Sequence, residues 1–526
     1  MKKTLYIITI LLLLLAGCKN RVTDTTGTAR RTPTDPSVTP ELPYILEGDY
    51  TPDTGVMYKV IIGRDTCFVV IDSIDDIQLH GYYYQLTDSS DCVERKPFTY
   101  DKHWKDKRRE AKVFAYQEPE YHSVADSLYS KPVFKISQLR NVEYGEALGY
   151  WVSMKKTGKE GYGEILLEGI PNSFIRTIQT LTMDIYSPAN SDTKKPLVLL
   201  LHGGAFYIGD KEDSLISGLC RHFASLGYVA VSANYRLGFL PAKGEINRAG
   251  FMAVQDAHAA MRFLVDRADK YGIDTNLLFV GGASAGGITA LNLAFMRDPD
   301  RPKQAYSNQW RDLGTIASSG NSSRATFHIK AVANMWGAVN NLNILKNSHT
   351  DIISFHGDAD QVVPYDNGFP FNDLSIQVGK RLFDRMYGSL PIDKKAKELG
   401  YRSLLHTYNG EGHSLQRTSE GEWNQKNFID IRDKITAFFL EEIAGKRPVI
   451  EEDRNDSRHF IINGADPTDV RWKVEGGFIV AIGNNEIWVV WDNTKTSHSL
   501  KASGHYNGGM GFNASFKPDI ETNTEK

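Results

Sequence analysis

The spacing of hydrophobic and polar residues divides the chain near residue 178. Upstream, short runs of strand-forming residues are separated by Gly, Asp and Ser; the runs are Met57–Ile62, Cys67–Ile71, Leu79–Leu86 and Val113–Tyr116. Downstream, apolar runs of strand length alternate with longer segments whose apolar residues recur at helical spacing. The upstream pattern predicts a β-rich domain over residues 44–170. The downstream alternation predicts βαβ units and a mostly parallel sheet, hence an α/β fold over residues 175–446.

The elements of the α/β region follow from residue type and run length. Buried strands are expected at Leu181–Tyr186, Leu197–Leu201, Val229–Ala233, Leu277–Val280 and Leu404–Tyr408. Helices are expected at Ile216–Leu226, Gly250–Lys270, Ser284–Phe295 and Phe428–Phe439. The last of these carries its large apolar residues on one face, which predicts that it packs against the sheet.

A polar stretch, Arg447–Asp456, is predicted to be a linker. Beyond it, alternating runs bounded by glycine and asparagine pairs predict strands at Arg471–Val474, Phe478–Ile482, Glu486–Trp491 and Ser499–Ser503. The alternating pattern of residues 457–520 therefore favours a separate small β domain, similar to an Ig- or PKD-type sandwich.

The N-terminus has a basic start and an apolar run that is too short to span a bilayer. This pattern is typical of an export signal over residues 1–17. The ending Leu15-Ala16-Gly17-Cys18 resembles the bacterial lipobox, which implies that Cys18 is lipidated and anchors the protein to the cell envelope, at the outer membrane. Residues 18–43 then predict a flexible tether. The alternative is an ordinary secretory signal with an incidental cysteine.

Composition narrows the class of protein. The chain has 526 residues, a formal net charge of −3 and 41% hydrophobic residues, which excludes a disordered chain and a multi-span membrane protein. Acidic and basic residues are nearly equal in number, so the composition does not predict the basic surface that binds nucleic acid. Cys67 and Cys92 either form a disulfide outside the cytosol or stay free, and the sequence leaves both possibilities open. Cys220 lies in a predicted helix and is expected to be a buried thiol.

The strongest chemical signal is Gly282-Ala283-Ser284-Ala285-Gly286, between a predicted strand and a predicted helix. A serine hydroxyl is a poor nucleophile, so it must be presented clear of the backbone beside a base. A sharp strand-to-helix turn presents it in this way, and the flanking glycines avoid Cβ clashes. Upstream, His202–Phe206 follows another strand and offers small residues whose N–H groups suit an oxyanion, together with the amide of Ala285.

His202–Phe206, Asn234–Gly238 and Gly282–Gly287, with their spacing, resemble the α/β-hydrolase esterases of the carboxylesterase and hormone-sensitive-lipase-like branches. The resemblance covers about half of the chain. It implies that Gly204 and Ala205 supply oxyanion N–H groups, although the family often has a third glycine where this chain has Ala205. The resemblance also implies an acid and then a histidine after the serine.

Two carboxylates compete for the role of the acid. The stretch Ile352–Pro364 runs from a strand into a loop that resembles the family's acid loop, with Asp360 preferred and Asp358 the alternative. The base is expected at His413, which lies between a glycine and a serine on a loop after a strand. In this reading His413 takes the proton of Ser284, and Asp360 orients the imidazole.

No His, Cys or Asp cluster has the spacing of a metal site, and nucleotide-binding glycine patterns are missing, so no metal or cofactor is predicted. The resemblance implies a serine hydrolase of carboxylic esters that acts through an acyl-enzyme. The substrate is expected to be a small ester or an ester-decorated polysaccharide carrying acetyl or feruloyl groups. Two alternatives stay open: a peptidase of the prolyl-oligopeptidase kind, and an inactive hydrolase fold used for binding.

Overall fold

The structure, a computed structural model, places most of the chain in two compact units. It describes residues 55–62, 65–74, 78–86, 92–101, 112–115, 118–124, 128–154, 175–189, 193–240, 242–306, 311–372, 383–418, 420–464, 466–492, 494–507 and 509–519. Unit 1 consists of the described residues of Met1–Asp126 and Lys446–Lys526. Unit 2 consists of those of Ser127–Gly445.

The N-terminal part of unit 1 is made of strands. They are Met57–Ile62 (β1), Asp65–Ile74 (β2), Gln78–Leu86 (β3), Cys92–Asp101 (β4) and Lys112–Ala115 (β5). Neighbouring strands pair antiparallel, for example Val60 of β1 with Cys67 of β2 and with Val113 of β5. The predicted strands of this region are thus confirmed, with β4 in addition.

Unit 2 alternates strands and helices, as the hydrophobic pattern predicts. Its strands are Ile136–Gly149 (β6), Thr177–Pro188 (β7), Lys195–Leu201 (β8), Val229–Ala233 (β9), Ile273–Ala283 (β10), Ala331–Met335 (β11), Asp351–Gly357 (β12), Asn367–Gly368 (β13), Met386–Tyr387 (β14) and Ser403–Tyr408 (β15). Its helices are Ser214–Leu226 (α1), Glu245–Asp266 (α2), Ala268–Tyr271 (α3), Ala285–Phe295 (α4), Ser389–Glu398 (α5) and Gln425–Ala444 (α6). Short 3₁₀ turns lie at Asp298–Asp300, Lys303–Ala305, Ile316–Ser318 and Leu342–Asn347.

The large sheet of unit 2 has the strand order β15-β12-β11-β10-β8-β9-β7-β6. The strands from β15 to β9 in this order run parallel, whereas β7 and β6 join antiparallel. Every residue of β8, β9 and β11 is buried, since helices cover both faces of a parallel sheet. The carboxyl ends of β8, β10, β12 and β15 consequently meet at one edge, where a ligand site is expected.

The C-terminal strands belong to unit 1. They are Val449–Asp453 (β16), Asp456–Asn463 (β17), Thr468–Glu475 (β18), Gly477–Ile482 (β19), Glu486–Asp492 (β20), Ser499–Tyr506 (β21) and Met510–Phe516 (β22). A sheet of nine described strands has the order β16-β17-β20-β4-β3-β2-β1-β5, with β19 also paired to β20. The remaining three strands form a second sheet, β18-β21-β22.

These pairings correct the predicted domain boundaries. The N-terminal and C-terminal β segments, predicted as separate domains, share one sheet because β20 pairs with β4 through Trp491–Cys92 and Asp492–Val93. A self-contained Ig- or PKD-type sandwich is therefore wrong for residues 457–520. The predicted boundary at residue 170 is also too late, because β6 pairs along its length with β7 of the α/β sheet. The predicted linker at 447–456 contains β16.

Several predictions fall outside the described residues. They are the export signal over residues 1–17, the lipidated Cys18 and the tether over 18–43. The side chains of Cys67 and Cys92 are also outside them, so their pairing stays a prediction. Cys220 is a buried free thiol, as predicted. Within the described ranges no helix has the length and apolar character that crossing a membrane requires.

Candidate active site

Ser284 lies at the turn between β10 and α4. Its backbone has φ 55° and ψ −118°, a strained conformation for a residue with a side chain. The flanking glycines permit this turn: a Cβ at Gly282 would lie 2.3 Å from the carbonyl oxygen of Gly286, and one at Gly286 would lie 2.1 Å from that of Leu201. The Ser284 N–H donates to the carbonyl of Met335 at 2.8 Å. The turn therefore presents the hydroxyl at the carboxyl edge of the sheet.

His413 joins this serine to a carboxylate. The loop after β15 places His413 Nε2 2.9 Å from Ser284 Oγ and His413 Nδ1 2.7 Å from Asp360 Oδ2. An ionised carboxylate only accepts hydrogen bonds, so Nδ1 carries the ring proton and Nε2 accepts from the serine hydroxyl. The structure thus brings together the three residues that the sequence proposes as nucleophile, base and acid.

Asp360 is held by four donors. Its Oδ1 accepts from the N–H groups of Val362 at 2.8 Å and Val363 at 3.0 Å. Its Oδ2 accepts from His413 and lies 3.2 Å from His356 Nε2. Burial by itself raises the pKa of the Asp360 carboxyl, but the hydrogen bonds from His356 and His413 outweigh it and hold that pKa well below its ordinary value. The carboxylate therefore stays ionised beside the imidazole.

Asp358, the alternative acid, has a different role. It is exposed, and its Oδ1 accepts from the N–H of Gly410 at 2.6 Å. The same two loops also meet where the Ala359 N–H donates to the carbonyl of Glu411 at 3.1 Å. Asp358 thus fastens the acid loop to the loop that carries His413, as a turn carboxylate that caps an amide.

The loop after β8 passes beside Ser284. A Cβ at Gly203 would lie 3.3 Å from the Cβ of Ser284. Gly204 has φ +116°, while Ala205 and Phe206 have φ 54° and 60°, a left-handed backbone that residues with side chains seldom adopt. Ala285 is the first residue of α4, so its N–H has no partner within the helix. Ala205 and Ala285 line the same cavity as Ser284, and Gly204 follows Gly203 in this loop; the role of the three residues as oxyanion donors stays a prediction.

A neighbouring segment, Trp151–Met154, holds this loop in place. The Trp151 indole N–H donates to the carbonyl of Tyr207 at 2.8 Å, and Ser153 Oγ donates to Asp210 at 2.6 Å. Met154 and Gly209 exchange two backbone hydrogen bonds at 2.9 and 3.1 Å. Sequence reasoning missed this segment, because it lies outside every motif and was assigned to the upstream domain.

Trp336 is a second residue that the sequence did not reveal. It follows β11 with φ 42° and is 1% exposed, and its ring meets that of His413 edge-on at 6.4 Å. The backbone N–H of Trp336 donates to the carbonyl of Phe355 at 2.7 Å. The strained backbone therefore places a large ring against the imidazole. The sequence signal nearest to Trp336 is the strand β11 that precedes it, and the five residues of β11 form only a weak strand pattern.

A cavity of about 570 Å³ opens beside Ser284. Its apolar lining consists mainly of Phe206, Phe251, Val254, Ile288, Ile344, Phe371, Phe383 and Met386. Its polar lining includes the amides Asn247, Gln304, Asn340 and Asn341 and the charged residues Asp300, Arg301, Lys303, Asp384 and Arg385. The volume lies in the ordinary range for small-ligand sites, which are mostly apolar with a few polar groups.

Three other histidines of unit 2 pack against aromatic rings. His202 is fully buried and stacks on Tyr235, and burial lowers the pKa of its imidazole. His406 stacks on Phe355 within the sheet. His258 packs against Phe327. Among the described residues, no three His, Cys, Asp or Glu side chains are grouped to hold a metal ion.

Known proteins resemble this part of the chain. The BD-FAE family model matches residues 183–354. Gut esterase 1 of Caenorhabditis elegans is 29% identical over 115 residues, 22% of this chain and 20% of that protein. Esterase LipI of Mycobacterium tuberculosis (strain ATCC 25618 / H37Rv) is 30% identical over 161 residues, 28% of this chain and 47% of that protein. The chain thus spans between a fifth and about half of the length of these curated relatives.

Among solved structures, a truncated form of a carbohydrate esterase from gut microbiota is 18% identical and has a TM-score of 0.36. The likeness covers 61% of this chain and 98% of that one. The sheet order and the strand–turn–helix at Ser284 match an α/β-hydrolase fold, and the relatives named above, which match part of this unit, are esterases.

Proposed function

We propose that this protein is a serine esterase, in which Ser284, His413 and Asp360 act as nucleophile, base and acid. The observation that carries the proposal is the continuous hydrogen-bond path from Ser284 Oγ through His413 to Asp360, at 2.9 and 2.7 Å. Such a path makes the serine hydroxyl a nucleophile, because the imidazole accepts its proton as the new bond forms.

In the proposed reaction, Ser284 Oγ attacks the ester carbonyl carbon while His413 Nε2 takes the hydroxyl proton. The carbonyl oxygen becomes an oxyanion, which the N–H groups of Gly204, Ala205 and Ala285 stabilise. His413 then returns the proton to the leaving alcohol, and an acyl-enzyme remains. Water then gives a proton to His413 and attacks the acyl carbon. The bond from that carbon to Ser284 Oγ breaks, His413 returns the proton to Oγ, and the acid leaves.

Replacement of the nucleophile tests this proposal. We expect Ser284→Ala to lower kcat for p-nitrophenyl acetate by roughly 10⁴-fold or more, with an unchanged circular dichroism spectrum. Ser217→Ala is the matched control, since Ser217 is another buried serine of unit 2, on α1. Retained turnover in the Ser284 variant would overturn the proposal, and loss in both variants would indicate misfolding of the domain instead.

We also propose that the apolar wall of the cavity receives the acyl group and that the amide-rich part faces an alcohol rich in hydroxyls. Acetyl or feruloyl groups on a polysaccharide meet both conditions. Phe383 is 5% exposed and its ring lies 5.1 Å from that of Phe371, so the pair forms an aromatic wall. We expect Phe383→Ala to raise KM for methyl ferulate about tenfold, with KM for p-nitrophenyl acetate nearly unchanged.

Equal effects on both substrates would contradict an acyl role for this wall. A p-nitroanilide of a proline-containing peptide separates the esterase from the peptidase alternative, since we expect no cleavage. A protein that hydrolyses none of these compounds would instead support the inactive binding fold.

Membrane attachment is a separate proposal. The sequence Leu15-Ala16-Gly17-Cys18 supports a lipid on Cys18 that anchors the protein to the cell envelope. We expect Cys18→Ser to move the protein from the membrane fraction to the soluble fraction of expressing bacteria. Unchanged fractionation would contradict the lipid anchor without affecting the proposed reaction.

A further inference from the structure

A second buried histidine contacts the carboxylate of Asp360. His356 lies near the end of β12, and its Nε2 is 3.2 Å from Asp360 Oδ2, the oxygen that also accepts from His413. The side chains of His356 and Asp360 are both 0% exposed. Neither the esterase resemblance nor the motif spacing assigns His356 a role.

The hydrogen bonds behind His356 determine which ring nitrogen carries its proton. The amide of Asn334 is oriented because its Oδ1 accepts from the N–H of Gly337 at 2.9 Å. Asn334 Nδ2 therefore donates to Ser389 Oγ at 3.0 Å. The hydroxyl of Ser389 lies 2.8 Å from His356 Nδ1. On the other side of the ring, Nε2 faces the Asp360 carboxylate and the Val363 carbonyl, which only accept, so in the neutral ring Ser389 donates to Nδ1.

Since Nδ1 of His356 accepts, the neutral ring carries its proton on Nε2. That proton points toward two acceptors, Asp360 Oδ2 at 3.2 Å and the carbonyl of Val363 at 3.1 Å. The chain Asn334–Ser389–His356–Asp360 is thus a directed series of donors that ends on the acid. A fully satisfied buried network of this kind fixes a unique arrangement of side chains.

The network is anchored where α5 begins. Ser389 is the first residue of α5, and the N–H of Leu390 donates to the carbonyl of Tyr365 at 3.1 Å. A Cβ at Gly388 would lie 1.8 Å from the carbonyl oxygen of Pro364, so the chain passes tightly under the acid loop. The start of α5 and the acid loop are therefore held as one piece.

We propose that His356 is a positioning residue of the proposed triad, which holds the Asp360 carboxylate so that Oδ2 faces His413. This inference rests on the proposed function. Without the donor on His356, one of the two contacts on Oδ2 is lost, and the orientation of the carboxylate is fixed less tightly, by His413 and the N–H groups of Val362 and Val363 alone. His413 then loses its fixed distance to Ser284, and a displacement of this size lowers the rate without weakening substrate binding.

The test compares two replacements of similar size. Glutamine places an amide N–H where the imidazole Nε2–H was, whereas leucine fills the space without a donor. We expect His356→Leu to lower kcat for p-nitrophenyl acetate about tenfold to hundredfold, with KM changed less than about twofold. We expect His356→Gln to keep kcat within about fivefold of the wild type. Each kcat is divided by the concentration of sites titrated with a fluorophosphonate, so that misfolded protein is not counted.

Two further variants complete the experiment. His406→Gln is the matched control, since His406 lies on the adjacent strand β15, paired with Phe355, and contacts no member of the triad. Ser389→Ala removes the donor behind His356 with little change in volume; we expect it to lower kcat about threefold to tenfold. It keeps the inference testable if His356→Leu does not fold.

The outcomes separate the inference from the proposed function. Equal kcat per titrated site in the leucine and glutamine variants would show that His356 only fills space, and would overturn the inference. Wild-type kcat in Ser389→Ala would also contradict it. In both cases the wild type still hydrolyses the ester, so the proposed function stands. A wild type that neither hydrolyses the ester nor reacts with the fluorophosphonate would remove the proposed function and the inference together.

Discussion

The turn at Ser284 and the loop at Asp360 reach the same hydrogen-bond path by different means. At the turn, backbone geometry is decisive: Ser284 has φ 55°, and Gly282 and Gly286 avoid contacts of 2.3 and 2.1 Å. At Asp360, side chains act together with the backbone: the carboxylate accepts from two backbone N–H groups and contacts two imidazoles, those of His413 and His356. Backbone constraints require glycine and are visible in a sequence, whereas a side-chain network draws on residues far apart in it.

The largest expected effect separates the two carboxylates of the acid loop. We expect Asp360→Asn to lower kcat for p-nitrophenyl acetate by about 10³- to 10⁴-fold, because an amide cannot stabilise the imidazolium or enforce its tautomer. Asp358→Asn keeps the buried path and loses only a contact to Gly410, so we expect kcat within a few-fold of wild type. Similar losses in both variants would contradict the assignment of Asp360.

A glycine pair tests the turn in the same way. We expect Gly286→Ala to lower kcat about a hundredfold and to destabilise the domain by about 1–3 kcal/mol, because its Cβ would lie 2.1 Å from the Leu201 carbonyl. Gly412→Ala is the control, since a Cβ there meets nothing within 4 Å. Thermal melting and steady-state kinetics measure both effects, and a fully active Gly286→Ala would show that the turn tolerates a side chain.

The charge on Asp360 also predicts a dependence of stability on pH. Because the folded-state pKa of Asp360 is lowered, its stabilising contribution is present above the ordinary carboxyl value of 3.8 and is lost as the pH falls through the folded pKa. We expect the difference in free energy of unfolding between wild type and Asp360→Asn to be nearly constant between about pH 7 and about pH 5 and to shrink below about pH 4. Urea titrations measure it, with Asp358→Asn as the control from the same loop, and a constant difference would contradict the prediction.

The smallest expected effect concerns the oxyanion loop. Ala205 has φ 54°, a conformation that glycine adopts without strain. We expect Ala205→Gly to fold normally and to raise kcat/KM for bulky acyl groups relative to acetyl by a few-fold, since it removes a methyl from the cavity wall. A ladder of p-nitrophenyl esters measures the ratio, and a ratio unchanged from wild type would show that Ala205 does not limit the acyl group.

Much of the α/β sheet is predictable from the sequence because its central strands are long apolar runs. Leu197–Leu201 and Val229–Ala233 are buried throughout and stand out by composition alone. β6 was not recognised, because it is an edge strand with exposed residues at most positions. Its partner β7 begins only at Thr177, whereas β6 ends at Gly149, and no local pattern indicates pairing across such a gap. The shared sheet of unit 1 was missed for the same reason.

The residues of the candidate site also differ in how far the sequence predicts them. Ser284 and the loop at His202–Phe206 can be recognised in the sequence because the backbone at these positions requires glycines, which form a motif. In the sequence, Asp360 and Asp358 differ only in their position. In the structure they are distinguished because Asp360 is buried and hydrogen-bonded to His413, whereas Asp358 is exposed. His356, Trp336 and Trp151 carry no motif, since their roles depend on contacts that the fold creates.

The central claim is that Ser284 is the nucleophile of the Ser284–His413–Asp360 path. Peptide mapping by mass spectrometry after reaction with a fluorophosphonate tests it most directly. The account predicts one adduct, on the peptide that contains Ser284, with none in Ser284→Ala and slower labelling in His413→Gln. An adduct on another residue, or an unlabelled protein that still hydrolyses p-nitrophenyl acetate, would contradict it.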